Sequence, residues 1–106
     1  MTTGRRVHER YDRALKVKIT HEGGQFECES LNISLGGMYL ISETQLAYGV
    51  KVVLEFFLPA LKENAKIEAV VRWEKPDGMG VQFGSLRARE VWAFNQLFKE
   101  CTPTVS

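Results

Sequence analysis

The sequence predicts an all-β-dominated domain, a six-stranded antiparallel β-barrel with one C-terminal α-helix. Segments in which apolar and polar residues alternate recur between residues 14 and 84, and this period-two pattern is typical of strands with one buried face. The last segment instead spaces its apolar residues three and four apart, as in a helix with one buried face. A chain of 106 residues has room for one domain with one modest core.

The first two strands are predicted to form a hairpin. Leu15, Val17 and Ile19 alternate with polar residues, and the turn His21-Glu22-Gly23-Gly24 follows. The chain then returns from Phe26 toward Asn32. Gly36 and Gly37 next interrupt the strand pattern, because glycine allows positive φ or a close backbone approach, and a short strand, 38–41, follows them.

Two longer alternating segments, 50–58 and 65–73, are predicted to pair as a second hairpin. Strict alternation directs Val53 and Phe57 away from the barrel interior. These two side chains either form an interaction patch or are covered by the terminal helix.

The last elements follow a strong turn sequence, Pro76-Asp77-Gly78. Residues 80–83 are the last predicted strand, and the terminal helix is assigned to residues 85–101 with Ser85 as its N-cap. Trp73 and Trp92 are predicted to pack in the core or against the helix.

The charge of the chain is unevenly distributed. The net charge is only +1, but residues 1–20 carry six Lys or Arg and two Asp or Glu, a net +4, which leaves −3 for the rest. Residues 1–13 are predicted to be a flexible basic arm. A basic arm on a mildly acidic body favours a small anionic ligand over general nucleic-acid coating.

Two short motifs carry the chemistry of a nucleotide site. The arm contains Arg5-Arg6-Val7-His8-Glu9-Arg10, and the turn after the first hairpin is Asn32-Ile33-Ser34-Leu35-Gly36-Gly37. Guanidinium groups suit phosphate oxygens and the O6/N7 edge of guanine, and an amide and a hydroxyl can bind the rest of a base. Each motif also has a simpler interpretation, a solvated basic tail or a polar turn that satisfies its own backbone.

The order and spacing of these motifs resemble the PilZ domain, a bacterial receptor module for cyclic di-GMP. The motifs have the forms R-x-x-x-R (Arg6 to Arg10) and [D/N]-x-S-x-x-G (Asn32 to Gly37), and segments 70–73 and 80–83 and the terminal helix also resemble the family. The resemblance implies cyclic di-GMP as the ligand. The ligand-binding residues it assigns are Arg5, Arg6, Arg10, Asn32, Ser34, Gly36 and Gly37, with His8 and Arg72 as secondary candidates.

The resemblance also bears on stoichiometry and base recognition. An arginine at the position of Arg5 is associated in the family with a stacked ligand pair, which implies two cyclic di-GMP molecules per domain. Asn32 stands where many members have Asp, so one carboxylate acceptor for guanine N1–H and N2–H is missing.

We therefore expect a cytoplasmic, non-catalytic cyclic di-GMP receptor that uses no metal or cofactor. Its arm is expected to become ordered when the ligand binds. The receptor is then expected to signal to an unidentified protein partner in motility or biofilm pathways. Cys28 and Cys101 are expected to be free thiols. One alternative is a PilZ-like interaction module that binds no nucleotide. Another is a small barrel that binds RNA or single-stranded DNA, although such proteins usually have a broad positive groove lined with aromatic residues.

Overall fold

The computed structural model describes residues 9–104, which form eight β-strands and one α-helix. The strands are β1 (Tyr11–Asp12), β2 (Lys16–His21), β3 (Gly24–Ile33), β4 (Gly37–Ile41), β5 (Lys51–Leu58), β6 (Glu63–Lys75), β7 (Gly78–Phe83) and β8 (Thr102–Pro103). The helix, α1, spans Ala88–Phe98 and follows the last long strand.

Strands β2 to β7 close into a six-stranded antiparallel barrel. Neighbouring strands lie in the order β2-β5-β6-β7-β4-β3, and β3 pairs again with β2, so the barrel is closed. The two predicted hairpins are present as β2–β3 and β5–β6. The predicted fold class is therefore confirmed.

Apolar side chains from alternate strand positions fill the interior. On β5, Val52, Leu54, Phe56 and Leu58 are buried, whereas Phe57 between them is half exposed. The exposure of Phe57 shows that α1 does not cover it. Because apolar side chains occupy the interior, polar groups that could bind a ligand lie on the outer face of the barrel.

The helix packs against the barrel through Phe94. The Phe94 ring lies 5.9 Å from the ring of Phe56 on β5 and 5.6 Å from the ring of Phe83 at the end of β7, measured between centroids. Trp92 lies on the outer side of the same helix and is 52% exposed. The prediction that Trp92 packs inward is therefore wrong.

The helix begins after Arg87, two residues later than the predicted cap at Ser85. The Glu90 carboxylate accepts hydrogen bonds from the Arg87 backbone N–H at 2.8 Å and from the Arg87 guanidinium at 3.0 Å. Burial of Glu90 would by itself raise its pKa, but the hydrogen bonds and charge of Arg87 hold that pKa below its ordinary value.

Part of the predicted flexible arm is strand. Tyr11 and Asp12 form β1, which pairs with the end of β3 on one side and with β8 on the other. The Tyr11 ring stacks on Phe98 of α1 with centroids 4.4 Å apart. This two-sided pairing was not predictable from a two-residue segment, and it fixes the backbone beside Arg10.

A buried serine joins β1 to the barrel. The chain leaves the sheet between β1 and β2, and Ser30 on β3 is 2% exposed at this break. Its hydroxyl donates to the Arg13 carbonyl at 2.6 Å and accepts from the Leu15 backbone N–H at 2.9 Å. The side chain thus adds to two backbone bonds across the break, from the Ser30 N–H to the Leu15 carbonyl at 2.9 Å and from the Arg13 N–H to the Leu31 carbonyl at 3.3 Å.

Cys28 and Cys101 are both free thiols, as predicted. Burial raises the pKa of the Cys28 thiol to about 11. Within residues 9–104, no helix combines the length and apolar character needed to cross a membrane.

We expect Phe94→Ala to lower the free energy of unfolding by about 3–5 kcal/mol, because it removes the ring that joins α1 to β5 and β7 and leaves a cavity. Urea unfolding monitored by circular dichroism measures this change. Trp92→Ala, on the exposed side of the same helix, is the matched control and should change stability by less than about 0.5 kcal/mol. Equal losses in the two variants would contradict this packing.

Glu90→Gln should reduce the dependence of stability on acid pH. Because the folded pKa of Glu90 is depressed, its charge stabilises the fold above the unfolded pKa, and this contribution is lost as pH falls through the folded pKa. Glutamine can still accept the Arg87 backbone hydrogen bond, so the variant isolates the charge, worth about 0.5–1 kcal/mol. Urea unfolding at pH 7 and near pH 3 tests this; parallel pH curves for both proteins would refute it.

Candidate ligand-binding site

Four residues on neighbouring strands form a row across the outer face of the barrel. Asn32 on β3 pairs with Tyr39 on β4, Tyr39 pairs with Gly80 on β7, and Gly80 pairs with Trp73 on β6. Residues directly opposite each other in antiparallel strands point to the same face. Because Val81 next to Gly80 is buried in the core, the row faces outward.

Two β-bulges bring the ends of this row to the surface. The register of β6 shifts between Val71 and Trp73, so Arg72 is an extra residue in the strand. Strict alternation would send Trp73 into the core after Val71, but the bulge turns it outward and leaves it 49% exposed. The prediction of a core Trp73 is therefore wrong. On β3, the register shifts between Ser30 and Asn32, so Leu31 is an extra residue. Asn32 therefore points outward, although Ser30 two residues earlier is buried.

Gly80 provides the space in which the indole of Trp73 lies. A Cβ atom at position 80 would come within 2.4 Å of the Trp73 ring carbon Cε3. The indole therefore lies directly over the β7 backbone. This contact holds one aromatic face in place on the barrel surface, and the ring remains half exposed.

Arg10 reaches both ends of the row. Its guanidinium Nη1 donates to Asn32 Oδ1 at 2.8 Å, and its Cζ lies 6.0 Å from the centroid of the Trp73 ring. The second distance is at the outer range of a cation–π contact. The structure thus brings together one arginine of the first motif and the asparagine of the second.

Arg10 and the row enclose an open cavity of about 510 Å³. Its lining combines the row with charged side chains from the arm and from the β6–β7 turn: Arg10, Leu31, Asn32, Tyr39, Trp73, Lys75, Asp77 and Gly80. The cavity offers two cations, an amide, an indole face and one carboxylate. This combination can bind a ligand that has both an aromatic ring and anionic groups.

Tyr39 and Asp77 are hydrogen-bonded on one side of the cavity. The phenol hydroxyl of Tyr39 donates to Asp77 Oδ1 at 2.7 Å. Desolvation, together with the hydrogen bond and the negative charge of Asp77, raises the pKa of Tyr39 to about 12. The shift moves ionisation of the Tyr39 hydroxyl further above pH 7, where the group is already a neutral donor.

Ser34, Gly36 and Gly37 form the turn between β3 and β4. The hydroxyl of buried Ser34 accepts from the backbone N–H groups of Gly36 and Gly37 at 3.0 and 3.2 Å. A Cβ at Gly37 would lie 2.1 Å from the carbonyl oxygen of Val81, so close strand approach requires glycine there. In this structure Ser34 satisfies its own turn, which is the simpler of the two interpretations that the sequence left open.

Arg5, Arg6 and His8 of the first motif lie outside the described residues. Arg72, the other secondary candidate, lies on a different part of the surface. It donates to Gln82 Oε1 at 2.9 Å and to the Tyr48 hydroxyl at 3.0 Å. It lines a second cavity of about 670 Å³ with residues of β2, β5 and β7. The structure therefore does not bring Arg72 into the cavity of Arg10 and Asn32.

Sequence reasoning missed Tyr39, Lys75 and Asp77 as cavity residues and misplaced Trp73. The turn at residues 76–78 was recognised, but only the strand register shows that it lies beside the row. The one available signal was Gly80, a small residue in the predicted strand that follows segment 65–73, which ends in tryptophan.

The comparisons agree with this architecture. The model of the family described as PilZ domain matches residues 4–99. Structural similarity is found to the Bacillus subtilis inhibitor of motility MotI/DgrA, with 28% identity, a TM-score of 0.70, and coverage of 91% of this chain and 50% of that chain. The PilZ domain of CeSA from a cellulose-synthesizing bacterium is 13% identical with a TM-score of 0.66, over 86% of this chain and 95% of that one.

A third similar structure is K. pneumonia MrkH in its apo state, 15% identical with a TM-score of 0.65, over 94% of this chain and 51% of that one. The chain thus spans about half the length of MotI/DgrA and MrkH. No curated protein sequence matches it significantly. The family match covers most of the chain and agrees with the closed barrel, so the protein belongs to the PilZ domain family, a family of cyclic di-GMP receptors and adaptors.

Proposed function

We propose that this domain is a non-catalytic receptor that binds cyclic di-GMP in the cavity of Arg10, Asn32 and Trp73. The observation that carries the proposal is the convergence of these three side chains, from the arm, β3 and β6, on one cavity. They supply a cation, an amide and an aromatic face. Cyclic di-GMP offers phosphates, guanine edges and guanine rings.

The charged part of the ligand suits Arg10 and Lys75. A guanidinium binds phosphate with two parallel hydrogen bonds, and charge-assisted bonds of this kind are roughly twice as strong as neutral ones. Lys75 adds a point charge to the lining of the same cavity. Because residues 21–106 carry a net charge of −3, the attraction of these two cations for an anion is local.

The aromatic part of the ligand suits Trp73. Its ring is held over Gly80 and is half exposed, so a guanine can stack on the exposed part of the ring, beside Arg10, without any rearrangement of the core. Stacking of a base on an aromatic side chain is worth about 1–3 kcal/mol. Asn32 can add donors, because its Oδ1 accepts from Arg10 and its amide nitrogen matches guanine O6 or N7.

We further propose that the ligand orders the arm. Arg5, Arg6 and His8 precede Arg10 by a few residues in the sequence, so the chain between them is short enough for the ligand to draw them to the cavity. Two ligand molecules per domain, with Arg5 on the second, is our proposal for stoichiometry. Arm and barrel together would then form a new surface for a protein partner in the cytoplasm, and the similarity to an inhibitor of motility supports a role in motility control.

Titration calorimetry with cyclic di-GMP tests the receptor function, with GTP and cyclic di-AMP as controls. We expect selective binding at micromolar concentration or tighter, with a ligand-to-protein ratio near two. A ligand-to-protein ratio near one would support the receptor function but contradict the proposal of two ligand molecules per domain. Absence of both heat and thermal shift would refute the receptor and favour an interaction module without nucleotide. Strong, salt-sensitive binding to polymeric nucleic acid instead would favour the RNA or single-stranded DNA alternative.

Arg10→Ala should weaken cyclic di-GMP binding by about 30-fold or more, because it removes a charge-assisted contact worth about 2 kcal/mol. The thermal midpoint of the ligand-free protein should change little, since the β1 pairing uses backbone groups. Arg89→Ala is the matched control, because Arg89 forms an exposed ion pair with Glu63 on the helix side. Equal affinity losses in the two variants would contradict the assignment of Arg10.

Tryptophan fluorescence tests the stacking surface, because the chain has two tryptophans. Trp92→Phe leaves Trp73 as the reporter, and cyclic di-GMP should quench its emission. Trp73→Phe leaves Trp92, which lies on the exposed side of α1 and should not respond. Quenching of Trp92 alone would place the ligand elsewhere.

A further inference from the structure

The cavity proposed to bind an anionic ligand contains the carboxylate of Asp77. Asp77 lines the cavity together with Arg10 and Lys75, and its side chain is exposed to any ligand that enters. Its negative charge opposes phosphate binding. A site that served only to attract anions would be better without it.

The position of Asp77 is fixed by three contacts of its turn. Gln45 Nε2 donates to the carbonyl oxygens of Lys75 and Pro76 at 2.5 and 2.8 Å, and the Ser42 backbone N–H donates to the Asp77 carbonyl at 3.1 Å. The carboxylate itself accepts from the Tyr39 hydroxyl at 2.7 Å through Oδ1. The group is therefore held in place before any ligand binds.

The Tyr39 bond leaves most of the accepting capacity of Asp77 available. An ionised carboxylate has about four acceptor positions on two oxygens, and Tyr39 occupies one of them on Oδ1. Tyr39 is a neutral donor near pH 7, as its ordinary pKa already ensures. Oδ2 is thus available to accept from a ligand that carries donors on an aromatic ring.

Guanine is the base with such a donor pair. Its Watson–Crick edge carries N1–H and an exocyclic N2 amine side by side, which matches a carboxylate, whereas adenine has an acceptor at N1. Trp73 and Asp77 line the same cavity, so a guanine that stacked on Trp73 would enter the cavity that Asp77 lines. Asn32, an amide bonded to Arg10, supplies no carboxylate at its end of the row.

We propose that Asp77 is a specificity-determining residue that accepts hydrogen bonds from N1–H and N2–H of the bound guanine. This inference rests on the proposed cyclic di-GMP function and goes beyond it, since it assigns base selectivity to the β6–β7 turn. Tyr39 acts as the positioning residue that orients the carboxylate.

Calorimetry on the full chain with two ligands tests the assignment. The probes are cyclic di-GMP and cyclic di-IMP. The hypoxanthine bases of cyclic di-IMP lack the N2 amine that guanine carries. Asp77→Asn keeps an oxygen that can accept from Tyr39 and removes the negative charge, so the fold should be retained; the thermal midpoint checks this. Glu43→Gln, an exposed loop residue, is the control for loss of one negative charge.

We expect Asp77→Asn to weaken cyclic di-GMP binding about tenfold or more and to bring the affinity ratio of the two ligands close to one. Loss of charge alone would strengthen phosphate binding, so the direction of the effect separates base recognition from electrostatics. If Asp77→Asn binds cyclic di-GMP as tightly as the wild type or tighter, and the ratio of its affinities for the two ligands is that of the wild type, the inference about Asp77 is overturned. The receptor function would still stand. Failure of the wild-type protein to bind cyclic di-GMP would overturn the receptor function itself.

Discussion

Closure of the sheet through β3 is the constraint on which the other features depend. This ten-residue strand pairs with β2 to close the barrel, with β4 to carry the turn of Ser34, and with β1 to hold the backbone beside Arg10. A closed barrel of six strands has an interior that apolar side chains fill. Chemistry with a polar ligand is therefore confined to the outside, where the strand register decides which side chains meet.

The candidate site depends on the strand register, which brings side chains from separate strands together on the outer face of the barrel. Asn32, Tyr39, Gly80 and Trp73 belong to four strands and become neighbours only because the pairings align them. The outer face of the barrel forms one side of the cavity, and the side chain of Arg10, just before β1, forms another. The pairing of β1 and the bond from Arg10 to Asn32 hold this side chain against the barrel, so the cavity is formed before any ligand enters.

Much of the fold was readable from the sequence, because alternation such as that of Val17 and Ile19 directly reflects burial. Asn32 and Arg10 were predicted to share one site from their residue types and the family resemblance, and the structure brings them together. Trp73 was not predicted there, because a bulge at Arg72 reverses the facing of every residue after it, and a single inserted residue leaves no mark on the sequence pattern. β1 and β8 were missed for a different reason: two-residue strands have no period, and tertiary pairing alone creates them.

The pairing of β1 with β8 has a practical consequence for measurement. The Thr104 backbone N–H donates to the Arg10 carbonyl at 2.8 Å, and the Thr104 hydroxyl donates to the Asp12 carboxylate at 2.8 Å. Strands paired in this way run about 5 Å apart. A dye attached at position 104 would therefore lie beside the Arg10 backbone without replacing any residue that lines the cavity, and its emission would report changes at that position.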